Sequence, residues 1–130
     1  MNETTNDKKP MPKGVWLLFS FNGRINRKTY WIFNLFVFLS GIVLGLITEP
    51  VNDISDIGPA HIFFMFWMFW PNMAVQAKRW HDQDKSALWL LINLVPYIGP
   101  IWALLVNGIV PGTPGTNRFG PEPMEEAITN

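Results

Sequence analysis

The sequence predicts an all-α integral membrane protein with three hydrophobic helical segments, the third broken at Pro96 to Pro100, and an N-terminal interfacial segment ahead of them. Three observations carry this expectation. Of the 130 residues 48% are apolar and only 15% charged, where about a quarter of the residues in a soluble globule would be charged. The apolar residues gather into three long runs that contain no charge. The basic and acidic residues that separate those runs alternate in sign along the chain.

The elements follow in order. Residues 1–14 are polar, read as disordered, and lack the apolar core of a cleavable signal peptide, so the first span reads as retained. Residues 15–21, Val-Trp-Leu-Leu-Phe-Ser-Phe, are too few to cross a bilayer; they suit either the headgroup level or a place packed on the helices. The membrane domain is 15–110. Its first segment, 30–48, is 19 residues without a charge, about 28 Å as a helix and close to the hydrocarbon thickness. The second, 57–77, has 21 residues, about 31 Å, with a kink expected at Pro71, where a backbone donor is missing. The third, 86–110, has 25 residues interrupted by Pro96-Tyr97-Ile98-Gly99-Pro100. It is either one tilted, broken span or a re-entrant hairpin of two half-helices. Residues 111–130 form a Pro/Gly-rich tail of turns and extended backbone.

The charges orient the chain. Lys8, Lys9, Lys13, Arg24, Arg27 and Lys28 precede the first segment, while Glu49, Asp53 and Asp56 follow it without a base. Lys78, Arg79 and Lys85 follow the second. The N-terminus is therefore expected in the cytoplasm, and two crossings return the chain there.

Helical phasing adds detail. Asn34, Gly41, Gly45 and Thr48 share one face of the first segment, and Gly41 with Gly45 has the small-xxx-small spacing that lets helix backbones approach. His61, Asn72, Gln76 and Arg79 form a stripe on the second, and Ser86, Asn93 and Asn107 recur at heptad spacing on the third. Polar groups in hydrocarbon need partners, so these stripes turn inward as interhelical glue or line a solute path.

Several function classes are excluded or disfavoured. The chain has no Cys, hence no disulfide, thiolate metal site or Cys nucleophile, and its ten basic residues balance ten acidic ones, which argues against nucleic-acid binding. No Gly-rich phosphate loop is present, and no cofactor or metal is implied. Two polar constellations stand at the expected cytoplasmic boundary. One presents Arg24 and Arg27 after a Gly turn; the other runs from Lys78 to Ser86 and includes the adjacent His81 and Asp82. If the third segment turns back, Asn117 and Arg118 join Arg24, Arg27, Arg79, His81 and Asp82 in one cluster. Guanidinium groups suit phosphate or lipid headgroups. The plainer alternative is a structural salt-bridge cluster in which Asp82 or Asp84 pairs with Arg24 or Arg27.

Three motifs carry a resemblance: Gly23-Arg24-x-x-Arg27-x-x-Tyr30-Trp31, then Arg79-x-His81-Asp82 followed by Ser86-x-x-Trp89, then Gly112-Thr113-Pro114-Gly115-x-Asn117-Arg118-Phe119-Gly120-Pro121. In this order the chain resembles the domain of unknown function 805 family, small bacterial inner-membrane proteins, over nearly all of 15–123. The resemblance implies location in the bacterial cytoplasmic membrane and no established activity. The expectation is a non-enzymatic membrane component that binds anionic lipid or a partner protein at its cytoplasmic face and self-associates. The alternatives are a subunit of a small-solute transporter or channel, and an enzyme on a lipid-linked substrate with His81 as base.

Overall fold

The computed structural model describes residues 11–123; the expected disordered N-terminus and the end of the tail fall largely outside them. Four α-helices, α1 (Lys13–Phe19), α2 (Arg27–Ile47), α3 (Pro59–Asp82) and α4 (Ile98–Ile109), are joined by two 3-10 helices, Ile54–Asp56 and Ala87–Leu94. No β-strand occurs among the described residues, which hold one isolated bridge between Asn117 and Gly120.

The α2 helix begins where Asn26 accepts a hydrogen bond from the Thr29 amide, a side-chain N-cap. Its 21 residues span about 31 Å. By length and composition α2 is the one described helix apolar enough to cross a membrane. Of the three expected hydrophobic segments, the first is thus the one clear span. In α3 apolar and polar parts are joined, and α4, with 12 residues, is about 18 Å long and cannot cross alone.

The α3 helix also runs further than its apolar stretch predicts. It passes through Pro71 without a break and continues beyond residue 77 to Asp82, so Lys78 and Arg79 are helical rather than loop residues. Charge does not end the helix because each charged side chain finds a partner. Lys78 Nζ donates to the carbonyls of Trp16 (3.1 Å), Leu17 (2.7 Å) and Ser20 at the C-terminal end of α1. An ammonium there gives the Leu17 and Ser20 carbonyls a donor, adds a second to Trp16, which the Ser20 amide already reaches, and meets the negative end of the helix dipole. The small apolar core lies against this end of α3, with Ile25, Tyr30, Phe33 and Val75 buried and Trp16, Leu17 and Leu18 of α1 packed on them.

The third segment is a hairpin. Its first arm is the 3-10 helix Ala87–Leu94, about 16 Å long, and its second is α4, about 18 Å. The break falls at Val95 to Tyr97. Pro96 forces its predecessor out of helical geometry, and Tyr97 turns the chain at φ +61°. Pro100 sits in the first turn of α4, where an amide hydrogen has no intrahelical acceptor, so it does not extend the break. The arms are close at Gly99, where a Cβ would overlap the Ile92 carbonyl. The second arm ends where the first began. Arg79 Nε donates to the Asn107 carbonyl at 2.6 Å, and from the start of α2, Trp31 Nε1 reaches the Gly108 carbonyl at 3.0 Å.

The outer surface is the reverse of a soluble protein's. Leu46 is 80% exposed, Phe66 78% and Leu94 77%, whereas Arg24, Arg79 and Asp82 are exposed by 5%, 0% and 4%. Apolar side chains face outward, and the ion pairs of Asp82 with Arg24 and Arg79 face inward, gathered at one end.

Candidate functional site

That end is organised around one carboxylate. Asp82, the last residue of α3, accepts from Arg24 Nε at 3.0 Å through Oδ1 and from Arg79 Nη1 through Oδ2. The remaining nitrogens of both guanidiniums each donate to a backbone carbonyl. Arg24 reaches Gly115 (2.6 Å), Gly120 (3.2 Å) and Thr113 (2.6 Å), while Arg79 reaches Asn107 and Val110. The charges are buried, so pairing and hydrogen bonding together are required to offset their desolvation. Every donor so used is aimed at the protein's own chain.

The stretch 112–121 forms a strap across the end of α3. The Thr113 amide and hydroxyl both donate to the Asp82 carbonyl, at 2.7 and 3.0 Å. Gly112 lies directly on the carboxylate, and a Cβ at that position would overlap it. Asn117 Nδ2 donates to the His81 carbonyl at 2.8 Å and to Thr113 Oγ1 at 2.7 Å. The Phe119 ring stacks on the His81 imidazole with centroids 3.9 Å apart and planes 5° from parallel. His81 Nδ1 lies 3.1 Å from the Gly23 carbonyl, an acceptor only, so this nitrogen carries the hydrogen. His81 stands beyond the apolar stretch 57–77. Burial pushes its imidazole below the usual 6.5, and the Lys78 and Arg118 charges act in the same direction, against the Gly23 hydrogen bond.

The strap and the two arginines coincide with the motifs that carry family membership. Residues 18–121 match the family described as protein of unknown function (DUF805). The chain belongs to the DUF805 family. Among its relatives in Escherichia coli K12, inner membrane protein YhaH is 40% identical over 108 residues, covering 82% of this chain and 88% of YhaH. Inner membrane protein YhaI is 34% identical over 103 residues, covering 79% and 85%. The uncharacterized protein YiiR is 27% identical, covering 83% of this chain and 88% of its own. No solved structure matches the chain.

In this DUF805 chain the cluster expected from sequence divides in two. Arg24, Arg79, His81, Asp82 and Asn117 meet in the buried knot. Arg118 lies at its exposed rim and pairs with Asp84 at 3.1 Å. Arg27 is separate, exposed at the start of α2, with Nη1 on the Ile109 carbonyl at 3.1 Å. His81 and Asp82 serve different partners despite being adjacent. The expected pairing of an aspartate with Arg24 is met by Asp82, and Asp84 turns instead to Arg118. Thr113, Gly115 and Gly120 were not expected, because they contribute backbone oxygens that any residue would supply.

The polar stripe of α3 is also engaged. His61 Nε2 meets Thr48 Oγ1 at 3.1 Å, Asn72 donates to the Met68 carbonyl at 3.0 Å, and Asn93 of the hairpin donates to Gln76 at 2.9 Å. Gly41 and Gly45 have open space where a side chain would stand.

Proposed function

We propose that the protein is a non-enzymatic, multi-pass component of the bacterial cytoplasmic membrane whose knotted end faces the cytoplasm and binds an anionic headgroup or a partner protein there. In this reading α2 and the apolar part of α3 cross the bilayer. The hairpin enters and leaves on the cytoplasmic side, since arms of about 16 and 18 Å reach roughly half the hydrocarbon depth. One observation carries the reading: apolar side chains face outward over α2, α3 and the hairpin, while the buried ion pairs lie at the end where the chain's bases cluster. The names of YhaH and YhaI as inner membrane proteins support it, as do the acidic Glu49, Asp53 and Asp56 at the opposite end.

Single cysteines test it without background labelling. Treated with a membrane-impermeant thiol reagent, intact spheroplasts should label a cysteine at Asp53 and spare cysteines at the exposed positions Asn22 and Thr116, both of which should label after permeabilisation. Labelling of Thr116 in intact spheroplasts would reject the hairpin, and a fully inverted pattern would reject the orientation.

A further inference from the structure

We propose that the space beside the arginine knot is a binding site for a phosphate-bearing headgroup, with Arg27 and Lys28 as its donors and Glu122 as a carboxylate that opposes the ligand. The inference deepens the reading above and rests on it for the ligand's source.

A cavity of about 450 Å³ opens between the start of α2 and the strap, and its lining includes Arg27, Lys28, Asp82, Thr113 and Glu122. That volume lies within the usual range for small-ligand sites, roughly 300 to 1,000 Å³. The knot forms its inner wall. There Asp82 is held through both oxygens by Arg24 and Arg79, so one carboxylate stands against two guanidiniums and the wall is net positive. Arg27 uses one donor on the Ile109 carbonyl and keeps the rest of its fork for a ligand. Lys28 is exposed and has no hydrogen-bond or ion-pair partner among the described residues. Glu122 Oε2 accepts from the Gly115 amide at 2.8 Å and is, among the described lining residues, the one opposing charge besides the neutralised Asp82.

The knot itself is not the ligand site, since the donors of Arg24 and Arg79 are turned onto their own chain. Arg27 and Lys28 differ because they are accessible. Their height also suits a lipid phosphate. As α2 has about the thickness of the hydrocarbon layer, its first residues stand at phosphate level, with the Trp31 indole one turn deeper where aromatic belts lie. Basic pockets at this depth bind anionic headgroups.

The test uses the full chain, delipidated in mild detergent, with retained lipid read by native mass spectrometry. Phosphatidylglycerol and phosphatidylcholine of the same acyl chains are the probes. Wild type should retain the former in preference. Arg27→Gln with Lys28→Gln should weaken retention by about thirtyfold, and Lys28→Gln alone by about fivefold. Glu122→Gln should strengthen it by about fivefold, a gain that a purely structural role would not produce. The Lys28 side chain bonds nothing among the described residues, so its variant keeps the test valid if the double variant fails to fold. Equal retention of the two lipids, or retention unchanged in Lys28→Gln and in the folded double variant, would overturn the site. Displacement of phosphatidylglycerol by millimolar glycerol 3-phosphate, with the same ranking of variants, would support the phosphate site and assign it a soluble ligand instead of a lipid. Lipid retention in detergent does not depend on which side of the membrane the knot faces, so failure here and failure of the cysteine labelling are separable.

Discussion

Arg24 and Asp82, separated by 58 positions in sequence, meet at 3.0 Å with side chains 1% and 5% exposed. The pair locks the turn before α2 to the end of α3. Removing one partner from a buried ion pair leaves an uncompensated charge, a larger loss than the pair's net contribution. Here two guanidiniums share the carboxylate, so Asp82→Asn would strand both.

Asp82→Asn is therefore expected to destabilise the fold by about 3 to 5 kcal/mol. Thermal unfolding in detergent, followed by near-UV signal from the Trp residues, measures it. A melting temperature equal to wild type would show that backbone carbonyls alone hold Arg24 and Arg79.

Gly112→Ala should lift the strap locally, because the new Cβ overlaps the Asp82 carboxylate. A cost of roughly 1 to 3 kcal/mol follows from overpacking. Hydrogen exchange should rise across 112–121 and stay unchanged in α2, with Thr116→Ala, at an exposed site, as the silent control.

Acidification should weaken the fold through His81. Its imidazole titrates below 6.5 when folded and near 6.5 when unfolded, so between those values the unfolded chain holds the extra proton. Stability is then complete above about pH 6.5 and falls as pH drops from there through the folded value. A melting series from pH 8 to 5 should show a slope in wild type that His81→Phe reduces, with His61 present in both proteins. Identical slopes would assign the pH dependence elsewhere.

Gly41→Leu with Gly45→Leu should reduce crosslinking between copies while leaving the monomer's melting temperature unchanged. A Cβ added at either glycine meets no atom of the described residues within 4 Å, so the expected obstruction is to a neighbouring copy and not to the chain's own packing. Unchanged crosslinking would assign that face to lipid.

Local sequence specified α2 well, with 30–48 expected and Arg27–Ile47 observed, because a long charge-free run bounded by bases admits few alternatives. The end of α3 was misplaced for the opposite reason. Lys78 and Arg79 stand beyond the apolar stretch, and although Asp82 lies only three residues from Arg79, the α1 carbonyls that receive Lys78 and the Asn107 and Val110 carbonyls that receive Arg79 are distant in sequence. The hairpin was legible only as an alternative, since Pro96 marks a break but not the direction taken after it. Within the site, side-chain chemistry marked Arg24, Arg79, His81, Asp82 and Asn117. It did not separate the buried arginines from the accessible Arg27, and Lys28 had no motif to single it out. Burial decides that distinction, and burial follows from the fold.

The strap has a consequence for the order of events during synthesis. The backbone oxygens that receive Arg24 belong to Thr113, Gly115 and Gly120, about 90 positions further along. A ribosome delivers Arg24, α2, α3 and the hairpin before any of those oxygens exists. Until then Arg24 must remain hydrated or paired with Asp82 alone, and the end of α3 stays uncovered. Closure of the knot thus cannot begin until residue 113 has been made, after every apolar segment of the described fold has left the ribosome's active centre. A nascent chain halted before residue 112 would carry every apolar segment of the described fold and still lack the strap that covers its charges.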